Sequence, residues 1–296
     1  METKTNSPAA LSVFVVVIIS VIMTDTIEET PQLYYPITDV NFDGCTLIVP
    51  SVSVGNVGQL CTDLLILSLG CQKTGYLWHQ AILPIVGADP YKVSSPDLAL
   101  PAEVYYSKNH NLVILQLRSS IIKKLRKRFL SDLVLWMKSI GVSQVTVLTG
   151  SSNEERIDEQ ITTEPFRYLV SAESNPSLAE TFRSLGWISL EKRLHFPALS
   201  KLESLEEDNQ NGGQIVIPGG GFAKQLITVC TESNLNCVAL IKFCSEGDNI
   251  PDALVMLRKL NEWLKLLEVD SMGSPKLVFP HSWNHLFGNP PPRQLY

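Results

Sequence analysis

Several signatures of catalytic and metal chemistry are missing from this chain of 296 residues. Its six cysteines form no Cys-x-x-Cys pair, and no cysteine–histidine cluster has zinc spacing. No serine stands in a Gly-x-Ser-x-Gly elbow, and there is neither a P-loop nor a Gly-x-Gly-x-x-Gly fingerprint. These absences leave no assembled nucleophile, base and orienter, although catalytic groups that converge only in space leave no sequence motif. Excess positive charge is missing too. Lys and Arg total 24 against 30 Asp and Glu, a net charge of −6, which removes the basic footprint of a general nucleic-acid binder. No internal repeat is present. The five histidines (79, 110, 195, 281 and 285) are scattered. His281 and His285 are four apart, but Pro280 and Trp283 disfavour a regular metal-binding helix there.

What is plentiful is apolar sequence, 45% of the chain against 18% charged. That supports a substantial core in one large domain or two small ones. Cysteines 45, 61, 71, 230, 237 and 244 lie mostly inside apolar runs, where a free thiol behaves as a small hydrophobe. Their placement favours a reducing compartment over a disulfide framework. An N-terminal run, Ala9 to Met23, pulls the other way, since its hydrophobic length suits a signal peptide. Its flanks do not: Glu2 cancels Lys4, and no clear small-x-small site precedes Thr24-Asp25. The run is also shorter than the ~20 residues of a spanning helix. Translation from Met23 would place it outside the functional protein.

The stretch Thr46 to Leu67 is the most structured in appearance. A short β-branched run reaches Pro50, a turn holds Gly55-Asn56-Val57-Gly58, and Val57, Leu60, Cys61, Leu64, Leu65 and Leu67 follow at helical spacing. Strand, glycine turn and helix in that order form the entry unit of an α/β domain. Residues 24–42 read as an irregular lead-in, and Tyr76 to Val86 as extended chain. Glu103 to Ser107 and Leu112 to Arg118 read as a hairpin around Lys108-Asn109-His110-Asn111. Ile121 to Ile140 predicts a helix closed by Gly141, and Val142 to Leu148 a buried strand. Residues 150–165 read as an exposed loop, Pro176 to Leu185 as a helix, and the acidic segment 200–213 as a mobile insertion. Ile215 to Pro218 predicts a short strand, Phe222 to Val229 the start of a helix, and Asn236 to Cys244 a buried strand. Asp252 to Leu267 predicts a second long helix with Pro251 in its first turn. The alternation favours a mostly parallel sheet flanked by helices.

Four local features carry candidate chemistry. Gly55 to Gly58 suits a phosphate at a helix N-terminus, but the motif is incomplete and ordinary turn chemistry is the better reading. Gly219-Gly220-Gly221 permits φ > 0 and close approach of an anion, or equally of another backbone. Ser245-Glu246-Gly247-Asp248-Asn249 puts two carboxylates at the end of a buried strand, where capping of the next helix outweighs a metal or acid/base role. Lys123, Lys124, Arg126, Lys127 and Arg128 place five cations in six residues, a solvated face or a contact for an acidic partner. No interleaved aromatics offer nucleic acid a stacking surface.

Longer strings point to a family. Thr46 to Leu60, Ala102-Glu103-Val104-Tyr105, Leu115-Gln116-Leu117-Arg118-Ser119 and Thr163-Glu164-Pro165-Phe166-Arg167-Tyr168-Leu169 resemble the proteasome assembly chaperone 2 family. Ile217 to Gly221, Lys242-Phe243, Ser245 to Leu254, Leu260 to Leu264, Ser282-Trp283 and Leu286-Phe287-Gly288 do so as well. The likeness runs in order from about Phe42 to the C-terminus. It implies a non-catalytic chaperone with no cofactor or metal, of a fold related to nucleoside phosphorylase-like proteins. It also implies a heterodimer with proteasome assembly chaperone 1, bound to proteasome α subunits and promoting assembly of the 20S α-ring. Nucleic acid and membrane are not expected partners, and the cytoplasm, with the nucleus, is the expected compartment.

On this reading residues 1–41 are an extension outside the family pattern, 42–288 a single α/β domain with a mobile loop at 200–213, and 289–296 a Pro-rich tail. Several chaperones of this class carry a hydrophobic–tyrosine–any-residue ending that enters pockets between α subunits. Here tyrosine is last, so Leu295 and Tyr296 offer the anchor, ring and carboxylate without the pattern. Pro290 to Pro292 would stiffen that tail. Leu295, Tyr296, Gly219, Gly220 and Gly221 are therefore the candidate partner-binding residues. Two other readings stand beside it. One is a nucleoside phosphorylase- or hydrolase-like enzyme using the glycine turns for phosphate. The other is a secreted or anchored protein directed by residues 9–23.

Overall fold

β-Branched runs in this chain become strands buried on both faces. The computed structural model describes residues 32–171, 176–193, 214–271 and 275–285. Its strands are β1 (Tyr34–Pro36), β2 (Thr46–Pro50), β3 (Gln72–Leu77), β4 (Gly87–Ala88), β5 (Leu98–Ala99), β6 (Ala102–Ser107), β7 (Leu112–Leu117), β8 (Gln144–Ser152), β9 (Phe166–Val170) and β10 (Cys237–Cys244). Eight of them form one sheet in the order β1-β3-β6-β7-β2-β8-β10-β9, while β4 and β5 pair separately. The middle of the sheet is parallel, β7 with β2, β2 with β8 and β8 with β10. Antiparallel strands extend it on both sides. The parallel centre with helical cover is the expected architecture, and the wings make the sheet mixed.

The helices are α1 (Val57–Ser68), α2 (Arg126–Ser139), α3 (Asp158–Ile161), α4 (Pro176–Ser184), α5 (Ala223–Glu232) and α6 (Ile250–Leu264). Alternation along β2 divides the core, since successive side chains leave opposite faces. Leu47 and Val49 join α2 and α5 on one side through Phe129, Leu133, Leu226 and Cys230. Ile48 joins α1, α4 and α6 on the other through Cys61, Leu64, Phe182, Met256 and Leu260.

Most predicted elements are present, and the exceptions have local causes. Tyr34–Pro36, inside the expected irregular lead-in, is an edge strand held by register with β3. The long helix begins at Arg126 rather than Ile121, because Ile121 bridges to Ile82 and the Ile122 N–H donates to the Ala81 carbonyl. The final helix starts two residues earlier and stops three residues earlier than expected, at Leu264, with Lys265 capping it in the left-handed region. Residues 150–165 are not one loop. β8 continues to Ser152, Asn153–Glu155 is a 3-10 turn, and α3 buries Gln160. Ile215 to Pro218 is no strand, since the Pro218 carbonyl accepts from Ser152 N and Ser151 Oγ across the end of β8. The apolar run 9–23, the acidic segment 200–213 and the tail 289–296 lie outside the described residues.

Candidate functional site

The two glycine turns, far apart in sequence, meet at the C-terminal ends of β2 and β8. Ser51 Oγ donates to the Gly220 carbonyl and accepts from Phe222 N, both at 2.9 Å. Thr149 Oγ1 donates to the same carbonyl at 3.1 Å. Val54 N donates to Gly219 O at 2.9 Å, Ser152 N to Pro218 O at 2.8 Å, and Gly150 N to Ser53 Oγ at 2.9 Å. A Cβ on Gly221, whose φ is +62°, would collide with the Val52 carbonyl, and one on Gly150 with the Val54 carbonyl. Glycine is needed here so that backbone can lie on backbone. Four main-chain donors that a phosphate would use already serve this internal joint. The geometry therefore favours a structural junction over an anion cradle. Gly219 and Gly221 keep their outer edge exposed, while Gly220 is buried.

Gly55 and the acidic strand end meet as well, for a Cβ on Gly55 would strike the Asn249 side chain. The expected side-chain capping falls to Asp248, and Asn249 at the N-cap position makes no side-chain cap bond. Asp248 Oδ1 accepts from Ile250 N at 3.0 Å, whereas the Asn249 amide turns back to Gly247 O at 3.0 Å. Among the described residues, no group of three or more His, Cys, Asp or Glu is arranged to hold a metal ion.

A buried ionic clamp with no sequence motif joins α1 to the β3–β6–β7 wing. Glu103, wholly buried, receives Lys73 Nζ at 2.6 Å and Tyr105 OH at 2.9 Å, with Arg118 Nε at 3.9 Å. Asp63 Oδ1 receives Tyr91 OH at 2.6 Å, Gln116 Nε2 at 2.7 Å and Arg118 Nη2 at 3.0 Å. Two carboxylates face two cations, which is the condition under which buried charge is tolerable. Burial, with the Asp63 charge, pushes the Tyr91 phenol well up. Burial opposes the Arg118 charge, yet Asp63, Tyr91 and Glu103 raise its pKa on balance. Each carboxylate is already engaged, so the cluster acts as a fastener and offers no free general base. It ties the loop carrying Tyr91 to the sheet. The signal was present as charged residues inside apolar runs: Asp63 in α1, Glu103 in β6, and Gln116 and Arg118 at the end of β7.

A second fastener occupies the other wing. Arg167, wholly buried, binds Glu191 Oε1 at 2.8 Å, Thr163 Oγ1 at 2.6 Å and the carbonyl of Glu164 at 2.7 Å. Burial works against the Glu191 charge, but Gln160 and Arg167 hold its carboxyl below the usual range. Lys242, almost wholly buried, binds Asp252 Oδ1 at 2.7 Å. All six cysteines are free thiols, five of them buried. Burial pushes Cys71 up to about 12 and Cys244 up to about 11, which makes both poor nucleophiles. A groove of about 540 Å³ between β9 and α4 is lined by Tyr168, Val170, Ala179, Arg183 and Trp187 among others, and by none of the glycines. The basic cluster lies on a 3-10 turn, Lys123–Leu125, and the first turn of α2. Leu295 and Tyr296 lie outside the described residues.

Comparison with known proteins decides what kind of molecule these fasteners hold together. The model of the PAC2 family matches residues 47–273. The chain belongs to the PAC2 family. It is 40% identical over 260 residues to proteasome assembly chaperone 2 of Homo sapiens, covering 86% of this chain and 95% of the relative. The Xenopus laevis protein of that name is 39% identical over 254 residues, covering 85% and 94%. Among solved structures, Pyrococcus furiosus PbaA, described as an archaeal homolog of proteasome-assembly chaperone, superposes with a TM-score of 0.56 at 16% identity. That match covers 80% of this chain and 88% of that one. Pyrococcus furiosus PbaB, described as an archaeal proteasome activator, gives 0.54 at 18% identity, covering 80% and 90%. At such identities these two show the shared fold alone.

Proposed function

We propose that this PAC2-family chain is a non-catalytic chaperone of proteasome assembly. It works as a heterodimer with proteasome assembly chaperone 1 and promotes formation of the 20S α-ring. The observation that carries this reading is the extent of the match, 40% identity over 95% of the human chaperone. The site chemistry supports it, since the buried polar clusters are engaged with their own partners and the glycine turns are joined to each other. Under this reading residues 42–288 form the chaperone domain, 1–41 an extension outside it, 200–213 a mobile loop and 289–296 a docking tail. Leu295 and Tyr296 contribute an apolar group and a ring to α-subunit pockets, and the Gly219–Gly221 rim contacts a partner backbone. The working compartment is the cytoplasm, with the nucleus. No helix among the described residues is long and apolar enough to cross a membrane.

Native mass spectrometry of the tagged chain, isolated from cells, tests the proposal. The expected species contain one sister chaperone, with and without α subunits. Recovery of the chain alone, together with normal proteasome yield in cells lacking it, would overturn it.

A further inference from the structure

The loop leaving β3 and the segment leaving β7 run side by side. Ile82 bridges to Ile121, Ser119 Oγ donates to Leu83 O at 2.8 Å, and Ile122 N donates to Ala81 O at 2.8 Å. This short ladder presents apolar side chains to water. Leu83 is 43% exposed, Ile85 46%, Val86 65% and Ile122 36%, and Leu98 in the adjoining β4–β5 pair is 43% exposed. Apolar residues exposed singly are ordinary, but a run of neighbours marks an interaction site.

The ladder passes directly into the basic cluster. Lys123, Lys124 and Lys127 are exposed. None of the three has an ion pair among the described residues. Among the described residues Arg128 pairs with Asp132 alone, at 3.9 Å, a carboxylate it shares with His79. The loop from 84 to 98 carries Asp89, which caps its own turn at Tyr91 and Lys92, and one further carboxylate, exposed Asp97, with one lysine, exposed Lys92. A chain of net charge −6 thus concentrates uncompensated cations beside an apolar patch. An apolar centre with a charged rim is the ordinary anatomy of a protein interface.

We infer that this face docks a partner protein whose contact surface is apolar at its centre and rimmed by carboxylates. The inference rests on the chaperone reading and assigns it a surface. The Asp63–Tyr91–Arg118 clamp holds the loop behind the patch, which lowers the ordering cost of docking. The cations on the rim speed encounter and fix orientation.

The test compares the tagged full chain with K123E/K124E/K127E and, separately, with V86D. All four positions are exposed, so unchanged melting temperatures confirm folding. A zero-length carbodiimide crosslinker joins lysines to carboxylates in the complexes isolated from cells. Crosslinks are expected from Lys123, Lys124 or Lys127 to Asp or Glu of a bound proteasome or sister subunit. The triple reversal should weaken that complex about tenfold and flatten its salt dependence. A proteasome-subunit complex indifferent to both variants would keep the chaperone reading and overturn this face. Crosslinking through these lysines to an acidic protein outside the proteasome would do the reverse. A second copy of the chain or nucleic acid on the patch would overturn the face, and a chain with no partner would overturn both.

Discussion

At Gly221 the backbone is left-handed and an added Cβ would collide with the Val52 carbonyl, so two separate penalties apply to any side chain. Gly221→Ala is expected to lower stability by about 2–3 kcal/mol in urea denaturation. Gly70 makes the matched control. Its φ is +58°, but an added Cβ meets nothing within 4 Å, so Gly70→Ala should cost only about 1 kcal/mol. The difference between the two isolates close approach from backbone strain. The same scale explains the buried fasteners. Glu103 and Arg167 are tolerable inside the protein because each meets an opposite charge and makes further hydrogen bonds. Such pairs specify one docking geometry for a loop or strand, whatever their net contribution to stability.

Among the elements, α2 and the loop after β3 share one titratable contact. His79 is buried against Phe129, its ring centroid 5.3 Å away, with Nδ1 accepting from Ala81 N at 3.0 Å and Nε2 facing Asp132 Oδ2 at 3.2 Å. Burial lowers its pKa, Asp132 opposes that shift and Arg128 adds to it. A lowered pKa in the folded state means the unfolded chain takes up the proton first as pH falls. The stability contribution is complete above the unfolded value of about 6.5 and is lost as pH drops through the folded value. Urea midpoints are therefore expected to fall between pH 8 and pH 5.5, and His79→Gln should flatten that slope. These elements also show what a sequence exposes. The hairpin of β6 and β7 was legible because its turn is local, with Lys108 to Asn111 between two apolar runs. β1 was not, since three residues ending in Pro36 carry no periodicity and gain strand geometry only from β3. Likewise the glycine turns were visible as turns, but not as one joint, because their meeting depends on the order in which strands enter the sheet. The ionic clamps were hidden for the same reason. Their members are each ordinary in sequence and become a cluster only when β7 lies beside α1.

For the molecule as a whole, chain order and space disagree. β2 is made early but lies between β7 and β8, and β8 is completed by β10, which comes nearly a hundred residues after it. A chain stopped after Gly213 lacks β10, α5, α6 and the Gly219 turn. It leaves β8 as an open parallel edge and the buried hydroxyls of Ser51 and Thr149 without the Gly220 carbonyl. Limited proteolysis is expected to cut such a chain throughout β2 and β8 at protease levels that spare those strands in the full protein. The Ser51–Gly220 contact spans 169 residues, and that span sets a schedule for biosynthesis. Ribosomes release the early strands into the cell before the piece that seals them exists. The nascent chain therefore passes through an unfinished state of its own, which ends only once the Gly219 turn and β10 have emerged.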